Sequence, residues 1–347
     1  MKIFYAVQAT GNGHISRAME LLPYLEKYGT VDIFLSGNNS TLNFDLPVAY
    51  RSKGLSFKYS GSGGLNYLKT AKEILFSSVI KEARQLPLEK YDLIINDYES
   101  ITSLACRIKK LESLHFGHQA SFVSKKSPRP KQKNFIGESV LKYYARGTKT
   151  VGLHFQPYDS FILPPVIKKE IWNAQPTDQG YITVYLPSYA DEELIKIFSS
   201  IKDFNFEIFS RSRKTPESLG NITLLPVSKD GFNKSMIHCY GIITGAGFET
   251  PAEAIYLKKK ILLIPIKGQY EQFCNAEALA RMGYTIINKI DKHFIDGVSQ
   301  WLNKQKVYTL KTNNLPTEII VEKAMHIALS KYQQTKAPEI NTFQAIT

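Results

Sequence analysis

Two stretches of the chain place proton-transferring or anion-binding residue types at points where a strand should turn into a helix. The first is Gln8-Ala9-Thr10-Gly11-Asn12-Gly13-His14. Gly11 and Gly13, on either side of the candidate loop residue Asn12, let a ligand come close to the backbone, and the unpaired N–H groups of a starting helix favour an anion there. His14, on the first turn of that helix, is an imidazole suited to taking a proton from a hydroxyl near neutral pH. Asp97 follows the run Leu93-Ile94-Ile95-Asn96 directly, so it stands at the carboxyl end of a buried strand. There it could orient His14, as the acid of a catalytic dyad does, or cap the next helix. Arg17, His118 and Gln119 belong to the same sheet edge and are candidate residues for an acceptor pocket.

The second stretch runs Thr244-Gly245-Ala246-Gly247-Phe248-Glu249-Thr250-Pro251-Ala252-Glu253. A strand ends here in small residues, and Thr250 and Pro251 mark the start of a helix whose N–H groups suit a diphosphate. Glu253 lies one turn beyond Glu249, where a carboxylate can bind a ribose diol. Glu271 and Gln272 follow the next strand and bring polar groups suited to sugar hydroxyls. A dinucleotide fingerprint is absent: Ser16 stands where its third glycine or alanine belongs, and Ser36-Gly37 where its acid belongs.

The elements that must position these residues form two alternating series. Strands at 2–8, 31–36, 91–96, 113–117 and 150–155, with helices at 66–84, 98–110 and 138–147, specify a parallel sheet with crossover helices. Prolines 157, 164, 165 and 176 interrupt the pattern, and from 181 it restarts as a second α/β unit. The expected organisation is an acceptor-binding Rossmann-like domain over 1–160, a linker over 161–180, a donor-binding Rossmann-like domain over 181–330 and a tail over 331–347. The fold class is α/β, two doubly wound parallel sheets facing across a cleft.

Composition narrows the function classes. The 347 residues hold 44 basic and 31 acidic side chains, a formal charge of +13, and 24 of the basic but only 14 of the acidic ones lie in residues 1–170. That field favours an anionic partner of the first domain. The segment 124–133, with Lys125, Lys126, Arg129, Lys131 and Lys133, reads as an exposed mobile loop suited to anionic headgroups or an anionic acceptor. Three cysteines without C-x-x-C spacing argue against a disulfide framework or a structural zinc and for a reducing, cytoplasmic setting. The N-terminus reaches its glycine loop too early for a signal peptide, and no apolar run is long enough to span a membrane.

The second stretch resembles the donor motif of two-Rossmann-domain (GT-B) glycosyltransferases, above all the UDP-glucuronosyl/UDP-glucosyltransferases and the peptidoglycan N-acetylglucosaminyltransferases. Gly247-Phe248-Glu249-Thr250, Glu253, Pro265, Glu271-Gln272 and Asn275-Ala276 reproduce that motif's order, and Thr10-Gly11-Asn12-Gly13-His14 is similar to the glycine loop ending in His of the same enzymes. The resemblance implies transfer of a sugar from a UDP-sugar to a hydroxyl acceptor, inverting and independent of metal or other cofactor. It implies His14 as base, Asp97 as its orienting partner, and Gly245, Gly247, Phe248, Glu249, Thr250, Glu253, Glu271, Gln272 and Asn275 at the donor. With the basic first domain, it suggests an anionic or lipid-linked acceptor, a cell-envelope glycan and a protein at the inner face of the membrane. The motif departs at Gly245, where the plant enzymes have His, and at Glu249, where they have Asn; the Glu249 charge needs a partner, with Arg17, Lys267 and Arg211 the candidates. A nucleotide-sugar epimerase, a non-catalytic nucleotide-sugar binder and a nucleic-acid binder are the alternatives, the last lacking any recognition-helix, RRM or zinc-finger signature.

Overall fold

The computed structural model describes residues 1–9, 11–37, 47–54, 77–303 and 314–330. The first sheet is formed by β1 (Lys2–Gln8), β2 (Thr30–Ser36), β3 (Val48–Ser52), β4 (Leu93–Asp97), β5 (Leu114–Gly117), β6 (Lys149–Leu153) and β7 (Ile162–Leu163), in the order β3-β2-β1-β4-β5-β6-β7. Every pairing in it is parallel. Around it lie α1 (Asn12–Leu25), α2 (Ser77–Gln85), α3 (Ser100–Lys109) and α4 (Phe135–Tyr143). The short helix α5 (Lys169–Trp172) leads into the second unit.

The second sheet repeats the plan with β8 (Tyr181–Tyr185), β9 (Asn205–Ser210), β10 (Glu217–Leu219), β11 (Ile222–Pro226), β12 (Gly241–Thr244), β13 (Lys260–Leu263) and β14 (Thr285–Ile286). Its order is β10-β11-β9-β8-β12-β13-β14, parallel except for the β10–β11 pair. Its helices are α6 (Asp191–Phe198), α7 (Lys229–His238), α8 (Glu249–Tyr256), α9 (Tyr270–Arg281) and α10 (Phe294–Asn303), followed by α11 (Thr317–Leu329). In each sheet the chain reverses direction across the sheet beside its first strand, between β1 and β4 and between β8 and β12. Those switch points are where doubly wound sheets open a crevice at the carboxyl ends of their strands.

β1 and β4 are buried almost throughout, as central parallel strands covered on both faces must be. One apolar cluster runs from Ile3, Val7 and Ile15 of the first unit through Phe248, Ala252 and Ile255 of the second, so the two units share core at their junction. Separate clusters cover the far faces, around Phe34 and Ile94 in one sheet and Phe206 and Ile208 in the other.

Three expectations change on contact with this architecture. The 161–180 segment is not all linker, because Ile162–Leu163 joins the first sheet as its last strand; an edge position tolerates the prolines that follow. Helix α11 does not stay with the second domain: Ile320, Val321 and Met325 join the shared core, and Lys149 Nζ donates to the carbonyls of Ala328 and Ser330 at 2.7 Å each. The basic segment is only partly an exposed loop. Arg129 folds inward, donating to Glu138 at 2.8 Å and to the Phe122 carbonyl at 2.9 Å, while Ser124 and Ser127 are buried. Lys125, Lys126, Lys131 and Lys133 do remain exposed. Finally, the helix expected over 66–84 lies outside the described residues up to 76, as do Thr10 and the tail 331–347.

Candidate active site

β1 delivers the chain to Gly11, whose extended backbone (φ −156°) starts α1 without a side-chain cap, and the first turn of α1 contains no acidic residue. The Glu249 carboxylate, from the second unit, lies against Gly13 on this first turn. α8 and α9 also begin at the cleft, and neither has a side-chain cap. α3, α4 and α7 are capped by Glu99, Asn134 and Ser228, whereas α5, α6 and α11 have no side-chain cap either.

Asp97, the last residue of β4, is fully buried and does not cap α3; Glu99 does. Its carboxylate lies 2.9 Å from His14 Nδ1 and accepts from Arg17 Nη2 at 2.7 Å and Arg17 Nε at 3.1 Å. Burial alone would raise the Asp97 pKa, but Arg17 and then His14 outweigh it and hold the carboxyl at about 2. Because Asp97 is ionised, its oxygen can only accept, which favours His14 Nδ1–H as the donor, although the Arg17 Nη2 donor also lies 3.0 Å from Nδ1. Gln119 Nε2, an amide donor, faces His14 Nε2 at 3.4 Å, in keeping with that tautomer. In that tautomer Nε2 is the acceptor atom facing Gln119.

The backbone is bent to make this arrangement. Tyr98, immediately after Asp97, adopts the left-handed region (φ 58°), rare for a non-glycine residue and typical of strained functional turns. Its ring lies parallel to the His14 imidazole, with centroids 6.5 Å apart. Gly117 (φ 155°) is required at the end of β5, since a Cβ there would stand 2.6 Å from Asp97 Oδ1. At Gly13 a Cβ would stand 2.6 Å from Glu249 Oε2, so a side chain there would displace the Glu249 carboxylate.

Of the three candidate partners for Glu249, the fold selects Arg17, whose Nη1 forms a hydrogen-bonded ion pair with Glu249 Oε1 across the domain junction. Asp97 and Glu249 together overcome the burial of the Arg17 guanidinium and raise its pKa. Other candidate residues also meet across the junction. Gln119 Nε2 donates to both Glu271 oxygens at 3.1 Å. His118 stacks on Phe248, with centroids 3.8 Å apart and planes 4° apart, and its Nε2 lies 2.8 Å from Asn275 Oδ1. Burial holds the His118 pKa below its ordinary value.

Phe248 and Asn275 are therefore buried at the junction rather than lining open cleft. Asn275 also donates to the Ala246 carbonyl at 3.1 Å. Gln272 braces the loop after β13, accepting from Ile266 N at 2.9 Å and donating to Gln269 at 2.8 Å. Glu253 is buried, its pKa raised by that burial against the pull of Lys168 Nζ at 3.0 Å. Gly11 and Gly247 have open space around their Cα atoms, Gly245 lies near Gln272, and Thr250 is half-buried at the start of α8.

Residue patterning alone did not single out Tyr98, Lys168 or the loops after β8 and β9. Those loops enclose a cavity of about 260 Å³ lined by Leu186, Pro187, Tyr189, Ser210 and Arg211, at the carboxyl edge of the second sheet. A groove of about 700 Å³ lies between the basic segment and α9, lined by Lys131, Lys133, Tyr270, Phe273 and Glu277. Among the described residues, no helix is long and apolar enough to cross a membrane.

Comparison with known proteins agrees with this architecture. The family model for glycosyl transferase family 1 matches residues 1–304. Among solved structures, MurG of Acinetobacter baumannii superposes with a TM-score of 0.59 at 16% identity, covering 93% of this chain and 99% of that one. The spinosyn rhamnosyltransferase SpnG does so at 0.60 and 14%, covering 94% and 100%. The glycosyltransferase VinC in complex with dTDP follows at 0.56 and 13%, covering 94% and 99%. No curated protein sequence matches. The chain belongs to glycosyl transferase family 1 and is a glycosyltransferase built on the two-domain GT-B fold.

Proposed function

We propose that this protein transfers a sugar from a UDP-sugar to a hydroxyl acceptor with inversion at the anomeric carbon. The observation that carries the proposal is the His14–Asp97 hydrogen bond at the β1/β4 switch point, with His14 Nε2 facing Gln119 at the domain junction. In this reading the acceptor hydroxyl takes the place of the Gln119 amide. His14 Nε2 removes its proton, the acceptor oxygen attacks the anomeric carbon, and the bond from that carbon to the diphosphate breaks, UDP leaving with the electron pair. Asp97 keeps Nδ1 protonated and favours the imidazolium that forms. The uncapped start of α8 stabilises the departing diphosphate without an obligatory metal.

The donor then lies along α8 and α9. The 260 Å³ cavity after β8 and β9 receives the base, Glu253 faces the ribose once Lys168 yields, and Glu271, with Gln272 bracing its loop, faces the sugar. Closure of the junction around Gln119 and Glu271 excludes water and limits donor hydrolysis. The acceptor is anionic or lipid-linked, as a cell-envelope glycan precursor would be. Support comes from the exposed Lys125, Lys126, Lys131 and Lys133 and, beside them on α4, Phe135 at 83% and Ile136 at 54% exposure. Such a patch supports a peripheral location at the cytoplasmic face of an anionic membrane.

Calorimetric titration with UDP, GDP, ADP and dTDP, repeated on Glu253→Gln, tests the donor assignment. Selective UDP binding weakened by the substitution is expected. Equal affinity for all four, or binding indifferent to Glu253, overturns it.

A further inference from the structure

Arg17 has one edge left for the cleft. Its Nε and Nη2 are committed to Asp97, so only Nη1 faces the second domain, and Glu249 occupies it. Glu249 is the first residue of α8, at the turn where a donor diphosphate is expected, and its carboxylate packs against the backbone of Gly13 at the start of α1. One buried arginine thus answers two carboxylates, and the charge left over is negative where an incoming phosphate needs it positive. Two anions cannot share Nη1. Glu249 is also free to leave, because its side chain is 24% exposed while that of Arg17 is 2% exposed.

We propose that Glu249 is a tethered stand-in for the donor's phosphate: it holds Arg17 in the ligand-free enzyme and swings away when a nucleoside diphosphate binds, handing the Arg17 guanidinium to the diphosphate. Arg17 of the first domain thereby becomes a phosphate ligand of the second domain's donor site, and donor binding is coupled to the contact between the domains. The proposal rests on the donor-site reading above. It accounts for a feature that reading leaves unexplained, a carboxylate at the start of the helix that should receive a diphosphate.

The test is calorimetric binding of UDP and of uridine to the wild type, to Glu249→Gln, and to Glu26→Gln, a control that changes net charge equally at an exposed position. Glu249→Gln is expected to bind UDP about tenfold more tightly, equivalent to about 1.4 kcal/mol, with uridine affinity unchanged and Glu26→Gln like the wild type. Glu249→Ala repeats the measurement with no amide left to replace the carboxylate. Unchanged or weaker UDP binding in both Glu249 variants overturns the proposal. Equal tightening of UDP and uridine overturns it too, since the gain would then come from domain opening and not from phosphate competition. If the folded wild type binds neither ligand, the donor-site reading itself fails and this proposal with it.

Discussion

Replacing Asp97 by Asn tests the chemistry of the site with little change of shape. Asp97 is fully buried and holds both the Arg17 guanidinium and His14 Nδ1. In Asp97→Asn, the amide oxygen placed where Oδ2 now lies can still accept from Arg17 Nε and Nη2, and the NH2 group then takes the place of the oxygen that faces His14 Nδ1. That nitrogen must then accept, and the ring proton moves to Nε2, the atom that should take the acceptor's proton. Loss of a general base costs about 10²–10⁴ in rate, or roughly 3–5 kcal/mol of barrier at 1.36 kcal/mol per tenfold. Removing one member of a buried pair costs about 3–5 kcal/mol of stability, and the retained oxygen contact and Glu249 bring the expected loss to about 2 kcal/mol. Two assays separate these effects. Long-range ¹⁵N–¹H spectra of the imidazole report the tautomer without any substrate, with Nδ1–H expected in the wild type and Nε2–H in the variant. Steady-state UDP release from a UDP-sugar should show the loss in kcat with UDP affinity within about threefold, and the Asp97→Asn/His14→Ala double variant should be no slower than His14→Ala, because the two residues act as one unit. A folded Asp97→Asn enzyme with an unchanged tautomer and wild-type kcat would refute the reasoning.

Other consequences follow from the same geometry. Burial holds the His115 pKa at about 4, against about 6.5 for an exposed imidazole, so the unfolded chain binds the extra proton first. Stability from this group is complete above about pH 6.5 and falls by about 3 kcal/mol as pH drops to about 4. His118 and His154 shift in the same direction, and the raised carboxyls Glu99 and Glu253 offset part of the loss. Thermal unfolding should therefore show a lower Tm at pH 5 than at pH 7, with a shallower pH dependence in His115→Asn; equal Tm values at the two pH values would contradict this. Gly117→Ala should cost about 1–3 kcal/mol and at least tenfold in kcat, because φ 155° disfavours a side chain and the new Cβ displaces Asp97 Oδ1; chemical denaturation and turnover check it, and a neutral outcome refutes it. In co-sedimentation, vesicles of anionic lipid should retain the protein and neutral vesicles should not, with Phe135→Ser/Ile136→Ser weakening retention and raised salt abolishing it; equal retention by both vesicle types removes the membrane reading.

The parallel sheets and the meeting of His14 with Asp97 were legible because local pattern determines both. A short buried strand ending in a glycine turn puts the next residues at the carboxyl edge, and two such strands beside a switch point bring their ends together. Long-range contacts were not legible in that way. Helix α11 has an apolar face that would suit either domain, and only three-dimensional packing assigns it to the first. Arg129 reads as one more exposed basic residue until Glu138, nine positions on, turns out to bind it. Glu249 had three plausible cations by charge alone, and the choice of Arg17 depended on how the two domains face each other. Phe248 fits the order of a donor motif, yet it wedges between His118 and Phe155, because an aromatic at a domain junction gains more from burial than from solvent.

The most direct test of the account is acceptor-dependent turnover of a UDP-sugar by the wild type and by His14→Ala, with product mass read by spectrometry and UDP binding measured on both proteins. A product heavier by one glycosyl unit, a rate at least a hundredfold lower in His14→Ala, and equal UDP affinity in the two proteins are expected. Wild-type turnover in His14→Ala, or a folded enzyme that binds UDP but releases it from UDP-sugars at a rate indifferent to every hydroxyl acceptor, would contradict it.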